Sequence, residues 1–204
     1  MKITIISGSH RNPSQSEKVA RYINRSLEVE HPDIESHVYT LADNPLPLWD
    51  QTVWENSDEW NQRLAPLKKQ LSESDGFVII SPEWHGQVPA GLKNFFLLFN
   101  RFELGHKPAL IVTVSSGDGG AYPVAELRMS SYKNNRICYI PEHLVLRHIE
   151  SILNDNEADN NADANNYFKE RISWSLGILK GYTVALKAMR EHTQIHHDKF
   201  GNGM

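Results

Sequence analysis

Apolar residues along this chain recur at two spacings, and the points where the spacing changes mark out its elements. Ile3–Ser7 is a β-branched run with no polar face, which predicts a strand covered on both sides. Val19, Tyr22, Ile23 and Leu27 then recur at helical spacing. Ile34–Leu41 alternates, and a proline-bearing loop, Asn44-Pro45-Leu46-Pro47, follows it. Trp60, Leu64, Leu67 and Leu71 predict a second amphipathic helix, with Asp58 as its N-cap. Gly76–Ser81 is the clearest buried strand. Leu92, Phe95, Phe96 and Phe99 trace a third helix, and Ala109–Val114 is another buried strand. Pro123 to Asn134 reads as a helix, and Ile137–Ile140, with a second strand near His143–Arg147, completes the set.

Strands that alternate with helices in this way predict a parallel sheet with helices on both faces. Such sheets bind ligands at the carboxyl ends of their strands. Asn154 to Asn166 is dominated by Asn, Asp and Ala, too polar to bury much, and reads as a mobile acidic loop. A long helix follows, with Phe168, Ile172, Leu176, Leu179, Leu186 and Met189 on one side. The expected organisation is one domain over residues 1–191 and a flexible tail over 192–204.

Composition narrows the setting. Hydrophobic residues make up 40% of the 204, and no run approaches the roughly 20 apolar residues of a membrane-spanning helix. The opening segment ends in a Gly-Ser-His-Arg loop with no small-residue cleavage site, so it reads as a first strand and not as a signal peptide. Cys138 is the only cysteine, which excludes an internal disulfide and a cysteine-based zinc site and fits a reducing, cytoplasmic setting. A formal charge of −4 gives a nucleic-acid partner no electrostatic support.

Candidate chemistry collects in three loops that this topology brings to one crevice. The first, Ser7 to Ser16, leaves a strand and opens a helix. Hydroxyls of Ser9, Ser14 and Ser16, the Gln15 side chain, main-chain N–H groups and Arg11 there suit a phosphate monoester. The spacing is neither the triphosphate-binding GxxxxGK[ST] nor the dinucleotide GxGxxG; the bland alternative is a Ser-capped helix start. In the second, Pro82-Glu83-Trp84-His85-Gly86, Trp84 either stacks on a planar ring or caps the core. The third, Ser115-Ser116-Gly117-Asp118-Gly119-Gly120, either lets the backbone approach a ligand or is a flexible turn.

With these motifs in view, the chain resembles the NADPH-dependent FMN reductase family, whose members include quinone, azo-dye and chromate reductases. The family's Gly-Ser-x-Arg-x-x-Ser-x-Ser phosphate loop matches Gly8 to Ser16. Its Pro-Glu-Tyr-Asn-Gly segment corresponds to Pro82–Gly86, followed by Pro89 and the helix start Leu92-Lys93-Asn94. Its Ser/Gly-rich loop ending in Gly-Gly corresponds to Ser115–Gly120. The resemblance implies a flavodoxin-like three-layer sandwich with a five-stranded parallel sheet. It implies FMN as cofactor, bound by the residues of the three loops, and NADPH or NADH as donor. The acceptor would be a quinone, an azo compound or free flavin. The flavin itself carries the hydride, so no catalytic side chain is assigned, and a homodimer or higher homo-oligomer is expected. An FMN-binding carrier or redox sensor without turnover is the alternative. Trp84 replaces the family's Tyr, His85 its Asn, and Asp118 adds a carboxylate that either lies beside the flavin pyrimidine, where it would lower the reduction potential, or points into water and caps the turn. No metal site is expected: His192, His196 and His197 read as a solvated tail and Cys138 as a small core hydrophobe.

Overall fold

The computed structural model describes residues 1–55 and 57–203; Asn56 and Met204, the last residue of the expected tail, lie outside the described residues. Five strands, β1 (Lys2–Ser7), β2 (Glu35–Thr40), β3 (Gly76–Pro82), β4 (Pro108–Val114) and β5 (Cys138–Leu146), form one sheet in the order β2-β1-β3-β4-β5. Every neighbouring pair is parallel. Six helices connect and cover it: α1 (Gln15–Glu30), α2 (Asp58–Glu73), α3 (Ala90–Leu98), the one-turn α4 (Arg101–Leu104), α5 (Ala121–Ser130) and α6 (Ala162–His192).

The period-2 pattern of the central strands sorts the core into two layers. Val78 and Ile80 of β3, with Leu110 and Val112 of β4, pack beneath α1 and α6 through Val19, Ile23, Leu27, Ile172 and Leu176. Phe77 and Ile79, with Ala109 and Ile111, face the other way onto α2, α3 and α5 through Leu64, Leu71, Phe95 and Leu127. β3 and β4 are buried along their whole length, whereas the edge strand β2 is largely exposed. The expected three-layer architecture therefore holds.

Several boundaries differ from those expected. Ser57, not Asp58, caps α2: its hydroxyl accepts from the Trp60 N–H, and Asp58 becomes the first helical residue, where its charge meets the positive end of the helix. The helix read from Pro123 to Asn134 spans Ala121–Ser130 and gives way to turns. The two short strands expected after it are one. Between the pairs Ala109↔Tyr139 and Ile111↔His143 the register shifts, as β5 carries extra residues there. Pro141 lies in that stretch and has no N–H to give the ladder. Arg128 ties it down, donating through Nη2 to the carbonyls of Ile140 (2.7 Å) and Pro141 (3.0 Å).

The segment read as a mobile acidic loop is internally hydrogen-bonded instead. Asn165, buried at the start of α6, accepts from the Leu153 N–H at 2.9 Å, and Asn160 accepts from the Asn154 N–H at 2.9 Å. Glu157–Asp159 form a 3-10 turn, and α6 begins at Ala162, capped by Asn161. Asn side chains here replace main-chain partners, which their composition alone does not reveal.

Candidate functional site

The strand order reverses between β1 and β3, and a crevice opens there at the carboxyl ends, the ligand position of such sheets. One wall is the β1–α1 loop. Ser14, in extended conformation, caps α1: its Oγ accepts from the Glu17 N–H at 3.1 Å. Ser9 Oγ likewise accepts from the Arg11 N–H at 3.2 Å. A hydroxyl that accepts in this way keeps its own hydrogen free to donate. Ser16 Oγ and Gln15 Oε1 are buried and have no hydrogen-bond partner among the described residues. Gln15 and Ser16 occupy the first turn of α1, whose main-chain N–H groups have no partner within the helix.

The second wall follows β3. Trp84 and Gln87 exchange main-chain hydrogen bonds (Trp84 N–H to Gln87 O, 3.2 Å; Gln87 N–H to Trp84 O, 3.0 Å) around His85 at φ 51° and Gly86 at φ 72°. Two central residues at positive φ are the mark of the type I′ turn, which favours Asn-Gly. The family's Asn at the position of His85 thus answers a backbone demand. His85 meets the same demand as an exposed residue. Trp84 is half-buried and meets His10 edge-on, with ring centroids 4.6 Å apart. His10 lies between Trp84 and the first turn of α3.

The third wall is the β4–α5 loop, held to the second by one carboxylate. Glu83 Oε2 accepts from the Gly120 N–H at 2.7 Å. A side chain at Gly119 would strike Glu83 Oε1 at 2.5 Å, and one at Gly120, with φ 102°, would strike Val145 at 2.7 Å. These two glycines are therefore needed where the loop packs against Glu83 and β5. Asp118 is turned outward: its carboxylate, 93% exposed, pairs with His148 Nε2 at 2.8 Å. The expectation that it faces the crevice is corrected on that geometry.

The crevice encloses about 120 Å³, lined by Ser9, Arg11, Ser14, Gln15, Ser16, Pro82, Glu83, Trp84, Ser115 and Ser116, with Val114 and Ile149 besides. Among the residues expected at the site, His85, Gly86, Gly117, Asp118, Gly119 and Gly120 lie outside this lining. Ile149 was missed because it enters from a 3-10 turn after β5, a connection without periodic signal. A larger groove of about 480 Å³ runs between α3 and α5, lined by Val88, Phe96 and Leu127 among others. Size alone would favour that groove. Strand-end position and unpaired buried polar groups favour the smaller crevice.

Elsewhere, Asn94 accepts from the Trp49 N–H at 2.7 Å and donates to the Pro47 carbonyl at 2.8 Å, fixing the proline loop to α3. Cys138 is half-buried at the start of β5, and burial pushes its thiol pKa up. Among the described residues, no group of three or more His, Cys, Asp or Glu is arranged to hold a metal, and no helix is long and apolar enough to cross a membrane.

A doubly wound sheet with a phosphate-type helix start and an aromatic rim at its switch point defines a flavodoxin-like protein. The NADPH-dependent FMN reductase profile matches residues 1–151, and the chain belongs to that family. An NADPH azoreductase of Bacillus sp. (strain OY1-2) is 29% identical over 146 residues, 72% of this chain and 76% of the relative. An FMN-dependent NADPH-azoreductase of Staphylococcus aureus (strain USA300) is 30% identical over 130 residues, 63% and 68% of the two chains. Among solved structures, the fold is shared with FerB, a flavoenzyme NAD(P)H:(acceptor) oxidoreductase from Paracoccus denitrificans, at a TM-score of 0.68 and 20% identity over 92% of this chain and 97% of that one. Family membership makes the protein an FMN-dependent oxidoreductase fed by NAD(P)H, and does not favour a carrier without turnover.

Proposed function

We propose that the crevice between the three loops binds FMN and that the protein passes two electrons from NADPH or NADH to a quinone, an azo compound or free flavin. The observation that carries this reading is the first turn of α1. A buried Ser16 hydroxyl and free main-chain N–H groups meet there without a partner among the described residues, and Arg11 supplies a positive charge. That donor set fits a dianionic phosphate monoester, the terminal group of FMN. At about 120 Å³ the crevice is smaller than the roughly 300–1,000 Å³ of a pocket for a whole ligand. It suits the phosphate end, with the ring system lying across the rim beside Trp84.

When bound, FMN supplies the hydride chemistry. The chain's own residues bind and orient. Ser9 and Ser14, each held as an acceptor by the main chain, donate their hydrogens inward. Glu83 fixes the spacing of the second and third loops as a positioning residue. The I′ turn sets the height of Trp84 above the sheet. The domain is taken as residues 1–191, the assembly as a homodimer and the setting as the cytoplasm. Light scattering tests the dimer, and a monomer would remove that part.

The purified protein is expected to carry a flavin spectrum that bleaches under anaerobic NADPH or NADH and returns on adding a quinone. FMN should bind at least about tenfold more tightly than riboflavin, since charge-assisted hydrogen bonds are worth about 1.5–3 kcal/mol each. Equal affinity for the two would overturn the phosphate assignment.

A further inference from the structure

The opposite, amino-terminal end of the sheet gathers polar groups that the crevice does not use. His106 precedes β4, Arg136 precedes β5 and Arg101 opens α4, and the chain after α6 folds back over all three. His197 of this returning segment stacks on His106, with centroids 6.2 Å and planes 23° apart, and Phe102 meets it edge-on at 5.5 Å. Arg136 approaches His197 Nδ1 through Nη1 at 3.5 Å and donates to the Phe200 carbonyl through Nη2. The Gly203 N–H donates to Asn134 Oδ1 at 3.1 Å. The segment is thus seated on the body of the protein, and His197 is not the solvated residue its sequence context suggests.

Charge in this seat is unbalanced. Arg190, behind it, has Asp75 at 3.5 Å. Arg101 and Arg136 take part in no ion pair among the described residues, and Arg101 lies over the Phe102 ring at 4.6 Å instead. Arg101 Nε and His106 Nε2 are both buried without a hydrogen-bond partner among the described residues. A guanidinium N–H cannot shed its proton, so a buried unpaired one is a cost the fold carries unless something accepts from it. Burial, and then the Arg136 guanidinium, hold both imidazoles below their ordinary pKa. His106 is also faced by His197 and Arg190, and His197 by Arg101, with Asp198 as the opposing charge.

We propose that this seat is an oxyanion site, in which a phosphate-class anion binds between Arg101, Arg136, His106 and His197 and fastens residues 193–203 to the sheet. Forked guanidinium donors match the oxygens of such an anion, and its charge offsets the crowding of cations that disfavours imidazolium. Bound anion accepts from the guanidiniums and from the protonated imidazoles. Free inorganic phosphate and the phosphate group of a small monoester share this chemistry. The site lies at the end of the strands remote from the flavin crevice, so it remains available in the FMN-loaded protein.

The test is calorimetric titration of the FMN-saturated protein with inorganic phosphate and, separately, glycerol 3-phosphate, at constant ionic strength and about pH 6.5. Binding is expected with proton uptake, and histidine NMR should show two imidazoles titrating at higher pH when phosphate is present. Arg101→Gln and Arg136→Gln should each weaken binding about tenfold or more while retaining FMN, which reports an intact fold. The tighter of the two ligands identifies the source of the phosphate. No binding at tens of millimolar, unchanged binding in both variants, or binding confined to FMN-free protein would overturn the site.

Discussion

At the carboxyl ends of β1 and β3, Ser16 and Gln15 bury polar atoms that nothing among the described residues satisfies. At the amino ends, two other buried groups are fully supplied. Lys107 Nζ donates to the carbonyls of Leu71 (2.7 Å), Ser72 (2.8 Å) and Glu103 (2.8 Å), closing the ends of α2 and α4. The Asp75 carboxylate accepts from the Lys2 N–H at 3.0 Å and pairs with Lys187 and Arg190. The contrast separates two uses of buried polarity. Lys107 and Asp75, which bind the chain to itself, are saturated by its own main chain and side chains, and groups meant for FMN are left open at a strand end. Substitutions at Lys107 or Asp75 should therefore move stability, and substitutions in the phosphate loop should move FMN affinity.

The largest effect is expected at Lys107. Lys107→Met strands carbonyls at two helix ends and should lower the unfolding free energy by about 3 kcal/mol or more, read by urea denaturation, with FMN affinity unchanged in the folded variant. A comparable loss of FMN affinity would break the separation. The pH dependence sharpens it. Burial, assisted by Arg190, pushes the Lys107 pKa down from 10.5 to about 8. Between those values the unfolded chain holds a proton that the folded chain has released, so this group's contribution to stability rises with pH across that window. Below pH 8 the cost of burying the ammonium is fully present. The gap between wild type and Lys107→Met should accordingly widen from pH 8 toward 10.

Ser16→Ala should do the reverse. It removes a buried hydroxyl that has no partner in the protein, so the FMN-free fold should hold or gain stability. FMN affinity should fall about tenfold, since the lost bond is to a charged phosphate. Ser14→Ala is the poorer test, as it also deletes the cap of α1, worth about 1 kcal/mol. Glu83→Ala, which frees the Gly120 N–H and unties two loops, should weaken FMN by about fivefold with a smaller change in melting temperature. The smallest effect is expected at Asp118. With its carboxylate exposed and paired to His148, Asp118→Asn should leave the flavin reduction potential unchanged in an anaerobic titration. A rise of tens of millivolts would restore the crevice-facing orientation that the structure removes.

Local pattern carried the fold a long way. The alternation of Phe77, Val78, Ile79 and Ile80 between two faces is visible in the residues themselves, and so is the helical spacing from Trp60 to Leu71. The phosphate loop was legible for a similar reason: its groups lie within ten residues of one another. What stayed hidden depends on partners distant in the chain. Gly119 and Gly120 looked like ligand-facing flexibility because Glu83 and Val145, which crowd them, lie far away in sequence. His106 and His197 meet across the fold, and no periodicity announces that contact. Pro141 split one strand into two on paper, because the register slip it accompanies is a property of the pair β4–β5 and not of either strand alone.

One cross-link has a dynamic consequence. Lys18 sits on α1 two residues past Ser16, and its ammonium donates to the carbonyls of Ile149 (2.7 Å) and Ile152 (2.9 Å) and to Asn154 Oδ1 (2.8 Å). Burial lowers its pKa, yet these three acceptors hold it across the gap between α1 and the exit of β5. The opening of that exit and the fraying of the first turn of α1 are therefore one cooperative event. Occupancy of the phosphate loop should slow amide exchange from Ile149 to Asn154, a stretch that, apart from Ile149, contributes nothing to the crevice lining.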